Sequence, residues 1–89
     1  KDIAFIIDKK ITSEDIEKSI KKAAGKLLKG IEVFDIYTGE NIPSDKKSIA
    51  YSLTFSDPNR TLTDEEVMTS FNNIIKDIEK KYKAILRDN

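Results

Sequence analysis

Strand-like and helix-like hydrophobic patterns alternate along this chain in the order β-α-β-β-α-β, and few folds accept that order. The strands are short apolar or alternating runs, and both helices carry apolar residues at a period of 3.6. The pattern predicts strands at 3–7, from 27 or 31 to 37, at 47–55 and at 83–87, and helices at 11–25 and from 63 onward. Two right-handed βαβ halves of this kind close into one four-stranded antiparallel sheet with both helices on one face. We therefore predict an α+β, ferredoxin-like βαββαβ sandwich.

Both predicted helices have recognisable ends. Thr12 or Ser13 is expected to cap the first helix and Gly25 to end it. The second helix opens with the capping-box sequence TDEE at 63–66. The apolar stripes expected to face the sheet are Ile16, Ile20, Ala23, Ala24 and Leu27 in the first helix, and Val67, Phe71, Ile74, Ile75, Ile78 and Tyr82 in the second.

Composition excludes several classes of function. The 89 residues are 38% hydrophobic and 36% charged, as in a single folded domain, and they include no cysteine and no histidine. Disulfides, thiol catalysis and most zinc sites are thereby excluded, and we expect no catalytic residue and no metal site. No apolar run reaches the ~20 residues that span a bilayer, so we expect no membrane contact and a cytoplasmic setting. The chain starts at Lys1 without an initiator methionine, so we expect residues 1–89 to be one domain of a longer protein.

The charge balance limits any role with nucleic acid. Sixteen basic and sixteen acidic residues give a net charge of zero. A freestanding nucleic-acid-binding protein normally has a positive excess, because phosphate neutralisation supplies much of its affinity. An RNA-binding role would therefore be local, weak and salt-sensitive in the isolated domain, and would depend on a larger body.

Residues 33–37, "VFDIY", place a carboxylate in the middle of a strand. Alternation predicts that Phe34 and Ile36 face the core with Tyr51, Leu53, Phe55, Phe71 and Ile75. Val33, Asp35 and Tyr37 would then lie on the side of the sheet that carries no helix, which we call the open face. Its predicted members are small or hydroxylated apart from one ring and one carboxylate: Ala4, Asp35, Tyr37, Ser48, Ala50, Ser52 and Thr54.

This predicted open face suits a planar ligand. Tyr37 could stack on a nucleic-acid base, and Asp35 could accept hydrogen bonds from two adjacent donors, such as N1–H and the exocyclic amine of guanine. Ser48 begins the strand that pairs with the Asp35 strand, so hairpin geometry brings it close to Tyr37. The alternative is that Asp35 is only solvated and Tyr37 only packs, which is the common case for single residues of these types.

The segment "FDIYTGENIPSDKKSIAYSLTFSDPNRTLTDEEV" (34–67) resembles the C-terminal ferredoxin-fold anticodon-binding domain of phenylalanyl-tRNA synthetase. The elements F-D-x-Y-x-G, I-P, K-K-S-x-A-Y-x-L-x-F and D-P-x-R-T-L-T-D-E-E-V occur in order. "KDIAFIID" (1–8) and "AAGKLL" (23–28) are similar to the first strand and the end of the first helix of that family.

The resemblance implies binding of the anticodon loop of tRNA-Phe, whose first anticodon base is guanine. It implies Tyr37 as the stacking platform, Asp35 and Ser48 as hydrogen-bonding partners, and Ala4 as a small wall. Simple strand pairing alone places Ala4 further along the sheet. The resemblance also implies that aminoacylation, with ATP and Mg²⁺, takes place elsewhere in the enzyme, on other domains or on a catalytic α subunit. The chain itself is expected to need no cofactor.

Lys46 and Lys47 lie next to a predicted turn and could contact phosphates, although isolated lysines are usually solvated.

Other functions known for proteins of the same topology fit this sequence less well. RNA-recognition modules carry exposed aromatics on the third strand, whereas Tyr51 and Phe55 are predicted to face the core. An acylphosphatase-like enzyme needs an anion-binding loop after the first strand, but 8–13 contains neither Gly nor Arg. A small-molecule regulatory or dimerisation domain remains the alternative.

Overall fold

The computed structural model describes residues 1–87 and confirms the predicted order of elements. These are β1 (Asp2–Asp8), α1 (Ser13–Ala24), a 3₁₀ turn (Gly25–Leu27), β2 (Leu28–Tyr37), β3 (Lys46–Phe55), α2 (Asp64–Tyr82) and β4 (Ile85–Leu86). The strands form one sheet in the order β2-β3-β1-β4, and every neighbouring pair is antiparallel. The α+β ferredoxin-like fold predicted from the sequence is confirmed. Residues 88 and 89 of the expected 1–89 domain lie outside the described residues.

The helix ends follow from short-range hydrogen bonds. The Thr12 hydroxyl accepts from the backbone N–H of Asp15, and Gly25 ends α1 with a φ of 74°. At the start of α2, Thr63 and Glu66 form the predicted capping box, in which each side chain accepts from the other's backbone N–H. Neither helix within residues 1–87 is long and apolar enough to cross a membrane.

The core lies between the helices and one face of the sheet. Its fully buried members come from β1, both helices and β3: Phe5, Ile7, Ile16, Ile20, Ile49, Tyr51, Leu53, Ile74 and Ile78. The Tyr51 hydroxyl donates to the carbonyl of Ser13 at 3.1 Å. Burial, with a smaller contribution from Glu17, raises the pKa of Tyr51, so this hydroxyl stays protonated and keeps its bond to α1.

The expectation that Phe34 and Ile36 lie in the core is wrong, because they are 56% and 55% exposed. Val33 was expected on the open face, but it packs against the core. The reason is a β-bulge: Val33 pairs with Tyr51 and Asp35 with Ala50, which leaves Phe34 between them without a partner. Ile36 pairs with the buried Ile49, yet it stays exposed on the edge strand β2.

The remaining core expectations hold. Tyr51 and Leu53 are buried, and Phe55, Phe71 and Ile75 are partly buried and packed against the core. A second shift of register occurs between Leu28 and Gly30.

Candidate functional site

A cleft of about 440 Å³ lies against the open face and is lined by residues from all four strands. That volume is in the range of pockets that hold small planar ligands. Three of the predicted site residues, Ala4, Asp35 and Ser48, line it together with Phe34 and Ala50. The sheet has therefore gathered residues that are up to 46 positions apart in the sequence, as between Ala4 and Ala50.

Two adjacent rows of the sheet order these residues. In one row Asp35 pairs with Ala50, and Ala50 pairs with Ala4 on its other side. In the next row Tyr37 pairs with Ser48, which pairs with Ile6. Ala4 thus lies in the Asp35 row, closer than simple strand pairing predicted, and Tyr37 stands beside the cleft next to Ser48.

The bulge at Phe34 decides which way Asp35 and Tyr37 face. Val33 packs against the core, so uninterrupted alternation would turn the next two odd-numbered residues toward the helices as well. The extra residue reverses the alternation and aligns Asp35 with Ala50 and Tyr37 with Ser48 on the open face. Bulges are frequent beside functional sites for this reason, since one added residue re-aims the side chains that follow it.

Tyr37 is held by the loop after β2. Its hydroxyl donates to the carbonyl of Glu40 at 3.2 Å. A Cβ atom on Gly39 would lie 3.2 Å from that hydroxyl oxygen, and Gly39 has a φ of 135°, which side-chain-bearing residues rarely adopt. A glycine is therefore needed here for two reasons, conformation and space. Tyr37 as a whole residue is 38% exposed, so part of it is open to solvent.

The sequence reasoning missed one member of the site, Arg87. Its guanidinium donates to the Ser48 hydroxyl at 3.0 Å, and its central carbon lies 5.8 Å from the centre of the Tyr37 ring. Its backbone N–H donates to the carbonyl of Ala4 at 2.8 Å. Antiparallel pairing of 85 with 6 and of 86 with 5 places 87 opposite Ala4, on the open face, and this register is visible only in the structure.

The small residues of the open face are not freely exposed. Ala4, Ser48 and Ala50 are 7%, 3% and 8% exposed, although no helix covers them. Larger side chains line the cleft around them, among them Phe34 and Arg87. Asp35, by contrast, is exposed. The site therefore combines an accessible carboxylate and ring with a buried hydroxyl.

Lys46 and Lys47 are not brought into this cleft. Lys46 lines a second cleft, of about 410 Å³, with Lys10, Lys81 and Lys83 and the carboxylates of Asp8 and Asp15. Lys47 pairs with Ile7, which is buried in the core.

Across residues 1–87 there is no group of three or more Asp or Glu side chains arranged to hold a metal ion.

Comparison with known proteins identifies the family of this chain. A family model described as the ferredoxin-fold anticodon binding domain matches residues 1–87. The phenylalanine–tRNA ligase beta subunit of Bacillus subtilis (strain 168) is 47% identical over 87 residues, which is 98% of this chain and 11% of the relative. The same subunits of Bacillus licheniformis and Clostridium tetani are 46% and 41% identical over the same shares. The chain thus spans about a tenth of the length of these relatives, and it belongs to the ferredoxin-fold anticodon-binding domain family.

Proposed function

We propose that this chain binds the anticodon loop of tRNA-Phe as part of a phenylalanine–tRNA ligase beta subunit. The observation that carries the proposal is the two-row arrangement of Asp35, Ala50 and Ala4 beside Tyr37 and Ser48, in a chain of the anticodon-binding family. The names of the relatives support the choice of amino acid.

The first anticodon base of tRNA-Phe is guanine, and the cleft, together with the Tyr37 ring beside it, offers groups that can bind a guanine base. The exposed Tyr37 ring provides a stacking surface, which is worth ~1–3 kcal/mol per base. The Asp35 carboxylate is acceptor-only when ionised, so it matches the paired N1–H and N2–H donors of guanine. Ala4 and Ala50 have no side chain beyond Cβ and line the cleft, so a flat ring in the cleft could approach the sheet closely at these two positions.

The remaining parts of the proposal concern the parent enzyme. Aminoacylation, with ATP and Mg²⁺, would take place on other parts of the ligase, including a catalytic α subunit, and this domain would position the tRNA. Lys46 and Lys47 would contact the phosphate backbone next to the loop rather than the base, since they lie outside the base cleft. A ligase of this kind works where translation takes place, which for the parent of this chain would be the cytoplasm.

A two-by-two binding experiment tests base reading by Asp35. The wild-type chain and Asp35→Asn are each titrated with anticodon stem-loops whose first anticodon base is guanine or adenine. In Asp35→Asn the amide NH₂ group would face one of the two guanine donors, so one hydrogen bond is lost. A hydrogen bond to a charged group such as the Asp35 carboxylate is worth ~1.5–3 kcal/mol. We therefore expect Asp35→Asn to lower affinity for the guanine stem-loop by roughly ten- to hundred-fold.

The adenine stem-loop completes the experiment. Adenine has an acceptor at N1 and no amine at C2, so the wild-type chain should bind it weakly. In Asp35→Asn the preference for guanine should shrink. Asp2→Asn is a matched control, because Asp2 also lines the cleft but lies at its far end on β1, opposite Ser52. An equal preference for guanine in the wild type and Asp35→Asn would contradict the proposal.

A further inference from the structure

We propose that Arg87 is a displaceable cover on the base-binding site, a proposal that rests on the function proposed above. In the free chain its guanidinium occupies the space over Tyr37 and covers Ser48. A base that stacks on Tyr37 must move this side chain away. Arg87 would then set how tightly any base binds, without choosing between bases.

The first support is the position of the guanidinium. Its central carbon lies 5.8 Å from the centre of the Tyr37 ring. A base stacked with an offset on the same ring would place its centre at about 4.5–7 Å from that point. Guanidinium and base therefore compete for one volume. The hydroxyl end of the ring is already packed against the loop at Gly39, so the accessible part of the ring is limited.

The second support is the burial of Ser48. Its side chain is only 3% exposed, and its hydroxyl accepts from Arg87 at 3.0 Å. An atom of a ligand cannot contact this hydroxyl until a covering side chain moves. Arg87 is itself an exposed residue, so its side chain has free space to move into.

The third support is that the backbone and the side chain of Arg87 are held by different contacts. Its backbone N–H donates to the carbonyl of Ala4, a bond that does not involve the side chain. Within residues 1–87 the guanidinium forms no ion pair, and its contacts are one neutral hydroxyl and one ring. Contacts of these two kinds together correspond to about five- to seventy-fold in affinity for a competing ligand.

The test uses the 89-residue chain as wild type, Arg87→Ala and Lys76→Ala, titrated with the guanine and adenine stem-loops. Lys76→Ala removes one positive charge from an exposed position on α2, away from the open face. Titrations are done at about 0.1 M salt, where the isolated domain is expected to bind, and again at about 1 M salt, where the Debye length is only ~3 Å. At each salt concentration, Lys76→Ala shows what the loss of one charge does by itself. We expect Arg87→Ala to bind both stem-loops about five- to seventy-fold more tightly than the wild type, with an unchanged preference for guanine. Lys76→Ala should match the wild type.

A measurement without RNA checks the starting position of the side chain. The ring proton resonances of Tyr37 should move in Arg87→Ala and stay in place in Lys76→Ala, because only the first change removes a cation from above the ring. Unchanged Tyr37 resonances in both variants would overturn the proposal before any ligand is added.

The titrations separate the two proposals. If both proteins prefer guanine but Arg87→Ala binds the stem-loops no more tightly than the wild type, the proposed role of Arg87 as a cover is wrong. The proposed anticodon-binding function would still hold. A guanine preference that falls in Arg87→Ala would also overturn the cover, because Arg87 would then read a base edge. Absence of guanine-selective binding by the wild type at both low and high salt would overturn the proposed function, and the cover with it.

Discussion

Asp35 lies directly opposite Ala50 in the β2–β3 pair, on the side of the sheet that carries no helix. Two residues earlier, Val33 pairs with Tyr51 and packs against the core. Since two steps along β2 correspond to one step along β3, the unpaired Phe34 is what turns Asp35 away from the helices. The extra residue Phe34 therefore determines that the Asp35 carboxylate faces the open side of the sheet.

Deletion of Phe34 should be tolerated, because it joins Val33 directly to Asp35 and leaves both with their present partners. We expect a loss of about 1 kcal/mol in the free energy of unfolding, which is near the average for single mutations. Deletion of Ser52 is the control, since Ser52 pairs regularly with Glu32 on one side and with Asp2 on the other. That deletion turns neighbouring residues to the wrong face and should cost at least the ~2–5 kcal/mol of one displaced core side chain. Urea unfolding measures both, and equal losses would mean that Phe34 is not an unpaired residue.

Gly39→Ala should disturb Tyr37 as well as the backbone. The new Cβ would lie 3.2 Å from the Tyr37 hydroxyl, and the φ of 135° strains any side-chain-bearing residue by about 1–3 kcal/mol. Gly25→Ala is the control, because Gly25 also has a positive φ but has no atom within 4 Å of the added carbon. Thermal unfolding should show both variants destabilised, while only Gly39→Ala shifts the Tyr37 ring resonances. Shifts of the same size in both variants would argue against the contact.

Tyr37→Phe and Tyr37→Ala separate the hydroxyl from the ring. Phenylalanine keeps the stacking surface and loses the bond to the Glu40 carbonyl, so the unfolding free energy should fall by at most ~0.5–1.5 kcal/mol. Its preference for a guanine stem-loop over an adenine one should remain. Alanine removes the ring, and affinity for both stem-loops should fall by the ~1–3 kcal/mol of one stacked base. Wild-type affinity in Tyr37→Ala would exclude Tyr37 as the stacking platform.

Glu66 should make stability depend on pH at the start of α2. The side-chain hydrogen bond from Arg60 and the backbone hydrogen bond from Thr63 lower the pKa of Glu66 from 4.5 to about 2. As pH falls, the unfolded chain takes up this proton first, so the stabilisation present above pH 4.5 is lost towards pH 2. Solvent screens this exposed pair, which keeps the effect small. Glu66→Gln should flatten the pH dependence of the urea midpoint in this range, whereas Glu65→Gln should leave it in place. A slope that survives in Glu66→Gln would assign the effect to another carboxylate.

Local patterns were enough to predict most of the fold. The alternation of 47–55 identified Tyr51 and Leu53 as core residues, and the caps at Thr12 and Thr63 identified the starts of both helices. These signals depend on residues close together in the chain, and their physical causes, strand alternation and orphan N–H groups at helix starts, are local as well. That Tyr37 and Ser48 are neighbours could also be predicted, because a hairpin of known strands fixes its own approximate register.

Predictions for the candidate site were accurate only where regular alternation holds. Phe34 and Ile36 look like core residues by composition, and nothing in "VFDIY" marks the extra residue that interrupts the ladder. Arg87 was missed for a related reason. A two-residue strand gives almost no periodicity, and the position of Arg87 opposite Ala4 depends on a pairing with β1, more than 80 residues earlier in the sequence.

By itself, then, the sequence determined the order of elements, the helix caps and the polar character of the face that carries Asp35 and Tyr37. Only the tertiary structure decided that Ala4 shares a row with Asp35, that Ser48 is buried, and that Arg87 lies over Tyr37. The physical reason is that side-chain direction along one strand depends on neighbouring residues, whereas the pairing of different strands depends on bulges and on contacts made across the whole sheet.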